Sequence, residues 1–477
     1  MDTTQDLYQY DEEFRNHIAT VDAKGKRIWV HPKKPKGKFH QRRIAVTLFL
    51  LGILFAGPFI KIGGQPLLLV NIFERKFVVL GQAFWPQDFV LLALTLITLF
   101  VFVILFTVVF GRIWCGWMCP QTLFMEMVFR KIEYLIEGDA HAQRKLAKQP
   151  WTTEKILKKV AKQLIFLIIS VLIAHTVMAY LIGIEQTIAI VQDSPADHIT
   201  GFVGLVAFTG IFYFVFAYLR EQACIAVCPY GRLQGVLLNK DSIVVAYDWL
   251  RGEPRGRLRK SVAPEQKTGD CIDCHWCVHV CPTGIDIRNG TQLECVNCTA
   301  CIDACDEIMT RVHKPTGLIR YASYNSVQSG SQKLITTRVM GYTFVLLALI
   351  SLLSFNLITR SDVETTILKV PGTLYQRNDD GTITNLYNVE FVNKTFDEMT
   401  LEVRALSPEG ASIYKADGNP IVVSAEGLAK SVYFIKIPQD KILQAKTVVE
   451  VGVFHKAKQV EKLKVKFIGP VPTSAKH

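Results

Sequence analysis

The chain alternates long apolar runs that carry no charge with polar segments rich in lysine and arginine. Four of the runs exceed 20 residues and the first has 17, against the ~20 residues that a helix needs to cross ~30 Å of hydrocarbon. Because only a helix satisfies its own backbone in lipid, the pattern predicts a polytopic α-helical membrane protein rather than core helices of a soluble one. Five transmembrane helices are expected, at Ile44–Ile60, Phe89–Phe110, Leu164–Ile184, Ile199–Leu219 and Val339–Thr359.

The pattern changes after the fifth apolar run. Residues 360–477 contain short segments that alternate apolar and polar positions, are rich in β-branched side chains and are separated by Gly, Pro, Asn and Asp. About seven such segments predict a C-terminal β-sandwich of immunoglobulin-like build, with a β-barrel as the alternative.

The distribution of basic residues predicts the orientation in the membrane. Lysines and arginines number 10 in residues 1–43, 10 in 111–163 and 15 in 220–338, but only 2 in 62–88 and none in 185–198. By the positive-inside rule, the three basic segments lie in the cytoplasm. The net charge of +12 therefore indicates topology and contact with anionic lipid, and we expect no nucleic-acid partner.

These patterns together predict five segments. They are a cytoplasmic basic N-terminal arm (1–43), four transmembrane helices (44–219), a cytoplasmic cysteine-rich segment (220–338), a fifth transmembrane helix (339–359) and an exported β-domain (360–477). Within residues 121–160, the segment "TLFMEMVFRKIEYLIEG" is expected to form an amphipathic helix, and a Lys-rich stretch follows it. Both are expected on the inner membrane surface. All twelve cysteines lie on, or at the membrane edge of, the cytoplasmic segments, and in that reducing compartment clustered cysteines indicate metal binding or catalysis more than disulfides.

Eight of the cysteines form two copies of one motif. The segments "CIDCHWCVHVCP" and "CVNCTACIDAC" both have the spacing C-x2-C-x2-C-x3-C, which is that of bacterial ferredoxins with two [4Fe–4S] clusters. In such proteins the last cysteine of each motif binds the other cluster. The spacing therefore assigns one cluster to Cys271, Cys274, Cys277 and Cys305, and the second to Cys295, Cys298, Cys301 and Cys281. A structural zinc site is the alternative, but zinc needs no third C-x2-C step.

The other four cysteines form a second repeated motif, C-x3-C-P, at the ends of two apolar runs: "WCGWMCPQT" and "CIAVCPYGRLQ". Proline disrupts a continuing helix but suits the first position of a new one. Cys119 and Cys228 are therefore expected at helix starts, where the helix dipole lowers the pKa of a thiol. We expect nearby arginines to act in the same direction: Arg112, Arg220 and Arg232.

We expect these four thiols to converge on one metal site. The candidates for this site, Cys115, Cys119, Cys224 and Cys228, offer soft sulfur ligands, which favour Cu(I), zinc or iron–sulfur. The simpler interpretation is two pairs of small buried residues that close helix ends. Three histidines are weaker candidates: His275 and His279 are expected to tune or shield a cluster, and His175 to pack between helices or hydrogen-bond a quinone.

The order of these motifs resembles the CcoG/FixG/RdxA family of cytochrome c oxidase accessory proteins over nearly the whole chain. The resemblance implies a multi-pass protein of the bacterial inner membrane, with a cytoplasmic N-terminus and a periplasmic C-terminal domain. It implies assistance in assembly of a cbb3-type oxidase, linked to reduction of Cu(II) to Cu(I). On that basis the eight cysteines from Cys271 to Cys305 carry clusters, and the other four are candidate copper ligands. The partners would be the oxidase or its assembly factors, and a homodimer stays open.

The chain contains no flavin or nicotinamide motif, so we expect an external cytoplasmic electron donor. Two other functions stay open. NapH-type membrane ferredoxins, which are thought to oxidise quinol, resemble the chain from the first span through the cluster segment but lack the C-terminal β-domain. A non-catalytic assembly scaffold with structural or sensory clusters is the other alternative.

Overall fold

A computed structural model describes residues 20–21, 24, 26–73, 76–79, 81–84, 88–257, 269–442 and 444–470. The chain forms two compact units, and each is described by itself. The first unit comprises Met1–Ile60 and Leu94–Ser351, and the second comprises Lys61–Ala93 and Leu352–His477. Much of the predicted N-terminal arm, and part of the basic linker before the cysteine motifs, lie outside the described residues.

Five helices among the described residues are long and apolar enough to cross a membrane, which confirms the predicted number. They are Lys38–Phe59, Phe89–Phe110, Thr153–Ile182, Ile199–Leu219 and Thr337–Ile358. The third has 30 residues and begins well before its predicted start, because a charged stretch continues directly into the apolar run. Thr152 caps this stretch, since its side chain accepts a hydrogen bond from the backbone N–H of Lys155 at 3.3 Å.

Short helices connect the spans, and both C-x3-C-P motifs end where a new helix begins. After the second span come Ile113–Trp117, Pro120–Leu123, a π-helical turn at Phe124–Phe129, Arg130–Ile136 and Ala140–Lys148. The helix Ile184–Gln192 follows the third span. The fourth span ends in a π-helical turn at Val215–Leu219, and after it come a second π-helical turn at Ala223–Val227 and the helix Pro229–Leu237. The segment expected to form an amphipathic helix, residues 122–138, is helical up to Ile136, and Gly138, which has a φ of 85°, follows its end.

The cysteine-rich segment has its own small core. Two antiparallel strands, Val244–Tyr247 and Ile319–Ala322, frame it. Its helices are Trp249–Gly252, Trp276–His279, Ile287–Asn289, Ala300–Arg311 and Tyr324–Ser329. Buried aliphatic side chains from the strands and helices pack against the cysteines, including Val245, Ile285, Ile302, Met309 and Leu318.

The second unit contains the predicted β-sandwich. One antiparallel sheet consists of Ser412–Lys415, Leu428–Pro438, Thr382–Asn393, Val363–Lys369 and Gln376–Arg377. The other consists of Ile421–Val423, Met399–Ser407, Lys446–His455 and Lys458–Ile468. Side chains from both sheets form one core, including Ile383, Phe391, Leu401, Val451 and Phe467. The alternating burial along Met399–Ser407 is what the period of a strand with one covered face requires.

The second unit also includes the segment before the second span. This segment forms the strands Lys61–Ile62, Gln65–Pro66, Leu68–Asn71, Lys76–Val79 and Gln82–Phe84, none of which the sequence pattern predicts. Its last described residue before the span, Asp88, is buried and pairs with Arg360 at 2.7 Å and Lys394 at 2.6 Å. The segment is therefore joined to the β-sandwich by ion pairs.

Candidate functional site

Eight cysteines line two cavities of equal size. The first cluster cavity, of about 350 Å³, is lined by Cys271, Cys274, Cys277 and Cys305. The second cluster cavity, also of about 350 Å³, is lined by Cys281, Cys295, Cys298 and Cys301, with Cys277 also on its wall. In each cavity, three cysteines of one C-x2-C-x2-C-x3-C motif therefore meet the last cysteine of the other.

The two cysteine loops share one backbone conformation. Asp273 and Asn297, which precede the second cysteine of each motif, have φ values of 54° and 53°. His275 and Thr299, which follow it, have φ values of 56° and 64°. These left-handed residues curve each loop around its cavity. Asn and Asp adopt this conformation more readily than most residues, so their place in both motifs was a signal for the loop shape.

The electrostatics of the cavities fit a metal cluster. Burial raises the pKa of Cys298 to about 11 and that of Cys295 to about 12, so thiolates here need positive charge to compensate them. Among the described residues, no three His, Cys, Asp or Glu side chains gather closely enough to hold one metal ion. A zinc ion would draw four sulfurs to within ~2.3 Å of itself, whereas an iron–sulfur cluster binds thiolates spread around a larger core. An iron–sulfur cluster therefore fits these cavities better than a zinc ion.

The histidines between the cysteines take different positions. His275 lines the first cluster cavity, and its Nδ1 lies 2.9 Å from the guanidinium of Arg288. His279 lines neither cavity, and its carbonyl accepts a hydrogen bond from the backbone N–H of Lys33 at 2.8 Å.

The two C-x3-C-P motifs are interlocked. Cys119 and Cys228 occupy the residue before Pro120–Leu123 and Pro229–Leu237, respectively. The thiol of Cys115 donates to the side-chain oxygen of Gln234 at 3.4 Å, and the hydroxyl of Thr122 lies 3.9 Å from the sulfur of Cys224. The first thiol of each motif therefore contacts the helix that follows the other motif. Gln234 and Thr122 were not identified from the sequence, because nothing in the local pattern indicates this exchange.

Burial dominates the electrostatics of the first thiol in each motif. It raises the pKa of Cys115 to about 11, although Arg112 acts to lower it. Burial raises the pKa of Cys224 to about 12, with further contributions from the other three thiols of this group. Cys224 is therefore close enough to the other three thiols for their charges to act on it.

The other two arginines expected to act on these thiols have different surroundings. Arg220 pairs with Glu133, and Arg232 is exposed. Arg112 acts on the thiol of Cys115 in the expected direction, because its charge lowers the pKa.

The first C-x3-C-P motif packs directly on the second cluster cavity. A Cβ added at Gly116 would lie 2.5 Å from the carbonyl oxygen of Val296 and 2.8 Å from that of Asn297. The indole of Trp117 donates to the hydroxyl of Tyr321 at 3.0 Å, and this hydroxyl donates to the carbonyl of Asn297 at 3.3 Å. The loop between Cys115 and Cys119 thus contacts the loop between Cys295 and Cys298.

Gly116→Ala is expected to separate these two loops. The added methyl group meets backbone atoms, which cannot rotate away, so we expect a loss of about 1–3 kcal/mol in the free energy of unfolding. The measurement is denaturant unfolding of the purified protein, followed by the visible absorbance of its clusters. Gly204→Ala is the matched control, because a Cβ there meets nothing within 4 Å. A midpoint for Gly116→Ala equal to that of the control contradicts the close approach.

His175 lines another cavity, which lies at the C-terminal ends of the first and third spans. This cavity of about 490 Å³ is apolar except for a few side chains, among them Thr187 and Gln192. The Nδ1 of His175 lies 2.7 Å from the carbonyl of Val171. His175 thus faces a cavity of the size that small ligands occupy.

Three family models match the chain. "4Fe-4S dicluster domain" matches residues 219–324 and "4Fe-4S binding domain" matches residues 92–139. "IG-like fold at C-terminal of FixG" matches residues 353–470. With the five candidate spans, these matches define a membrane-bound iron–sulfur protein that transfers electrons and carries an immunoglobulin-like domain.

The relatives lead to the family. Protein RdxA of Cereibacter sphaeroides is 33% identical over 431 residues, which cover 86% of this chain and 89% of RdxA. Nitrogen fixation protein FixG of Rhizobium meliloti is 30% identical over 467 residues, with 88% of each chain covered. The chain belongs to the FixG/RdxA family. Ferredoxin-type protein NapH of Escherichia coli is 28% identical over 114 residues, 22% of this chain and 33% of NapH.

Proposed function

We propose that this protein transfers single electrons from a cytoplasmic donor, through two [4Fe–4S] clusters, to Cu(II) held by C-x3-C-P thiolates. The Cu(I) product would serve the assembly of a cbb3-type cytochrome c oxidase. The observation that carries this proposal is the contact of Gly116 with the carbonyls of Val296 and Asn297. Through it, the candidate copper ligands adjoin the residues that would hold a cluster.

Each cluster cavity would hold one cluster through its four cysteines. We assign the first cluster to Cys271, Cys274, Cys277 and Cys305, and the second to Cys281, Cys295, Cys298 and Cys301. When bound, such clusters supply one-electron transfer. The cysteines themselves bind as thiolates, and the left-handed residues of the two loops hold them around the cavities.

The C-x3-C-P thiols would bind the substrate. Soft thiolates favour Cu(I) over harder ions, and two thiolates suffice for a Cu(I) site, so all four need not meet at one ion. Cys115 must lose the proton that it donates to Gln234 before it can bind. One electron converts Cu(II) into Cu(I), and the thiolates are neither oxidised nor reduced in this step.

The proposed topology places these steps at the inner face of the membrane. Residues 1–43 and 220–338 would be cytoplasmic, and the β-sandwich would be periplasmic, where it could dock on the oxidase or an assembly factor. The alternation of basic and non-basic segments supports this arrangement.

The test uses the full-length protein purified anaerobically, with its clusters reduced chemically and excess reductant removed. Cu(II) is added, and Cu(I) is trapped by a chromogenic chelator. We expect one Cu(I) for each cluster electron, with the iron content unchanged. If the clusters stay reduced in the presence of Cu(II), copper is not the acceptor. If cluster-free variants also support oxidase assembly in cells, the protein is a scaffold.

Two observations favour other electron-transfer roles, and the same preparation tests both. The family model described as "4Fe-4S binding domain" covers Cys115 and Cys119, so these thiols could ligate a further cluster. Iron analysis would then give about 12 atoms per chain rather than about 8. The cavity that His175 lines could accept a quinol, as the likeness to NapH suggests. Rapid reduction of the clusters by a quinol would support that second role.

A further inference from the structure

Two buried arginines adjoin the second cluster cavity and pair with no carboxylate among the residues that the structure describes. Arg43 is 3% exposed and Arg112 is 5% exposed. Each guanidinium has one nitrogen without a hydrogen-bond partner within the described part of the chain, Nη2 of Arg43 and Nε of Arg112. A buried charge without an opposite charge costs several kcal/mol, so both arginines require an anionic neighbour.

The backbone contacts of Arg43 direct it to the second cluster cavity. Its Nε donates to the carbonyl of Gly116 at 2.7 Å, and Gly116 is the residue in contact with Val296 and Asn297. Its positive charge acts on the thiol of Cys298.

Arg112 reaches the same cavity from the other side. It donates to the carbonyl of Leu293 and lies 3.5 Å from that of Cys295. It also donates to the carbonyl of Gly231, in the second C-x3-C-P motif. One guanidinium therefore connects both thiol motifs with a cluster loop.

The surroundings of the first cluster cavity are different. Its buried cation, Arg288, pairs with Asp273 and Asp286, each at 2.6 Å. Cys274 on its wall is exposed, so water can stabilise negative charge there. At the second cluster cavity, Glu126 is the carboxylate that acts on Cys298, and it pairs with Arg130 at 3.1 Å.

A [4Fe–4S]²⁺ core with four thiolates carries two net negative charges, and one more when reduced. Burial alone disfavours that added charge, whereas nearby unpaired cations stabilise it. We propose that Arg43 and Arg112 supply the positive charge that lets the second cluster accept an electron. They thereby direct electrons from the solvent-facing first cavity toward the thiols. This inference rests on the cluster assignment of the proposed function, but not on copper.

The test is a redox titration of the full-length protein and of its Arg43→Gln and Arg112→Gln variants. EPR measures the reduction of each cluster during the titration. In each variant the affinity of the second cluster for an electron should fall at least about tenfold, which lowers its midpoint potential by about 59 mV. The other cluster should keep its potential. Arg42→Gln is the matched control, because Arg42 is the neighbouring arginine and is exposed. Arg43→Lys, which keeps the charge, should retain most of the potential.

An unchanged midpoint, a rise, or an equal shift of both clusters overturns the inference. If Arg43→Gln loses the second cluster altogether, Arg43→Lys must retain it. Failure of Arg43→Lys to do so would assign Arg43 a packing role and also overturn the inference. Absence of copper reduction in the wild-type protein, together with the expected fall in the potential of the second cluster in both glutamine variants, would concern the proposed function alone.

Discussion

Replacing Cys281 with alanine is expected to remove the cluster whose other ligands lie in the second cysteine motif. Cys281 is the last cysteine of the first motif, but it lines the cavity of Cys295, Cys298 and Cys301. Alanine offers no ligand, and the three remaining thiolates hold a cubane poorly. We expect iron to fall from about 8 to about 4 atoms per chain, with copper reduction abolished because the electron path is interrupted.

Double variants determine which cysteines share a cluster. Cys281→Ala with Cys298→Ala should lose no more iron than Cys281→Ala alone, because both belong to one cluster. Cys281→Ala with Cys274→Ala should lose both clusters. The opposite result would mean that each motif binds its own cluster. Cys115→Ala is the control for the loss of a thiol outside the cavities, and it should keep about 8 iron atoms.

Cys228→Ser should abolish copper reduction while both clusters remain. Cys228 belongs to the interlocked C-x3-C-P pair, and it lies outside both cluster cavities. Changes to groups that only support a metal ligand cost 10–100-fold in activity, so loss of a ligand itself should cost at least about 100-fold. The measurement is the rate of Cu(I) formation by chemically reduced protein, together with iron content and the EPR spectrum.

The matched control is Met118→Leu. Met118 lies beside Cys119 and is 40% exposed, so this change removes a soft sulfur atom without removing a thiol. We expect it to keep most of the rate. Undiminished copper reduction by Cys228→Ser, with both clusters intact, would refute the thiolate–copper site. Loss of about 4 iron atoms per chain in the same variant would instead indicate a further iron–sulfur cluster.

The spans and the β-sandwich were predictable because their patterns are local. A helix in lipid must be apolar on all sides over some 20 residues, and a strand with one covered face must alternate. The run Phe89–Phe110 is a helix over the predicted residues, and the pattern of Met399–Ser407 alternates as a strand requires. The strands before the second span escaped prediction because each is only two to four residues long.

The candidate site was predictable only in its ligand types. Repeated cysteine spacing was sufficient to identify the thiols. It could not identify their neighbours, because those come from distant parts of the chain. Gln234 is 119 residues from Cys115, and Leu293 is 181 residues from Arg112.

The sequence by itself determined the number of spans, the two kinds of cysteine motif and the class of protein, because backbone satisfaction in lipid and ligand spacing act within short segments. Only the tertiary structure decided that the first C-x3-C-P motif lies against the second cluster cavity rather than the first. Only the tertiary structure showed that Arg43 and Arg112 are buried and pair with no carboxylate in the described part of the chain. Contacts between segments more than a hundred residues apart depend on how helices and loops pack, and no local pattern encodes that packing.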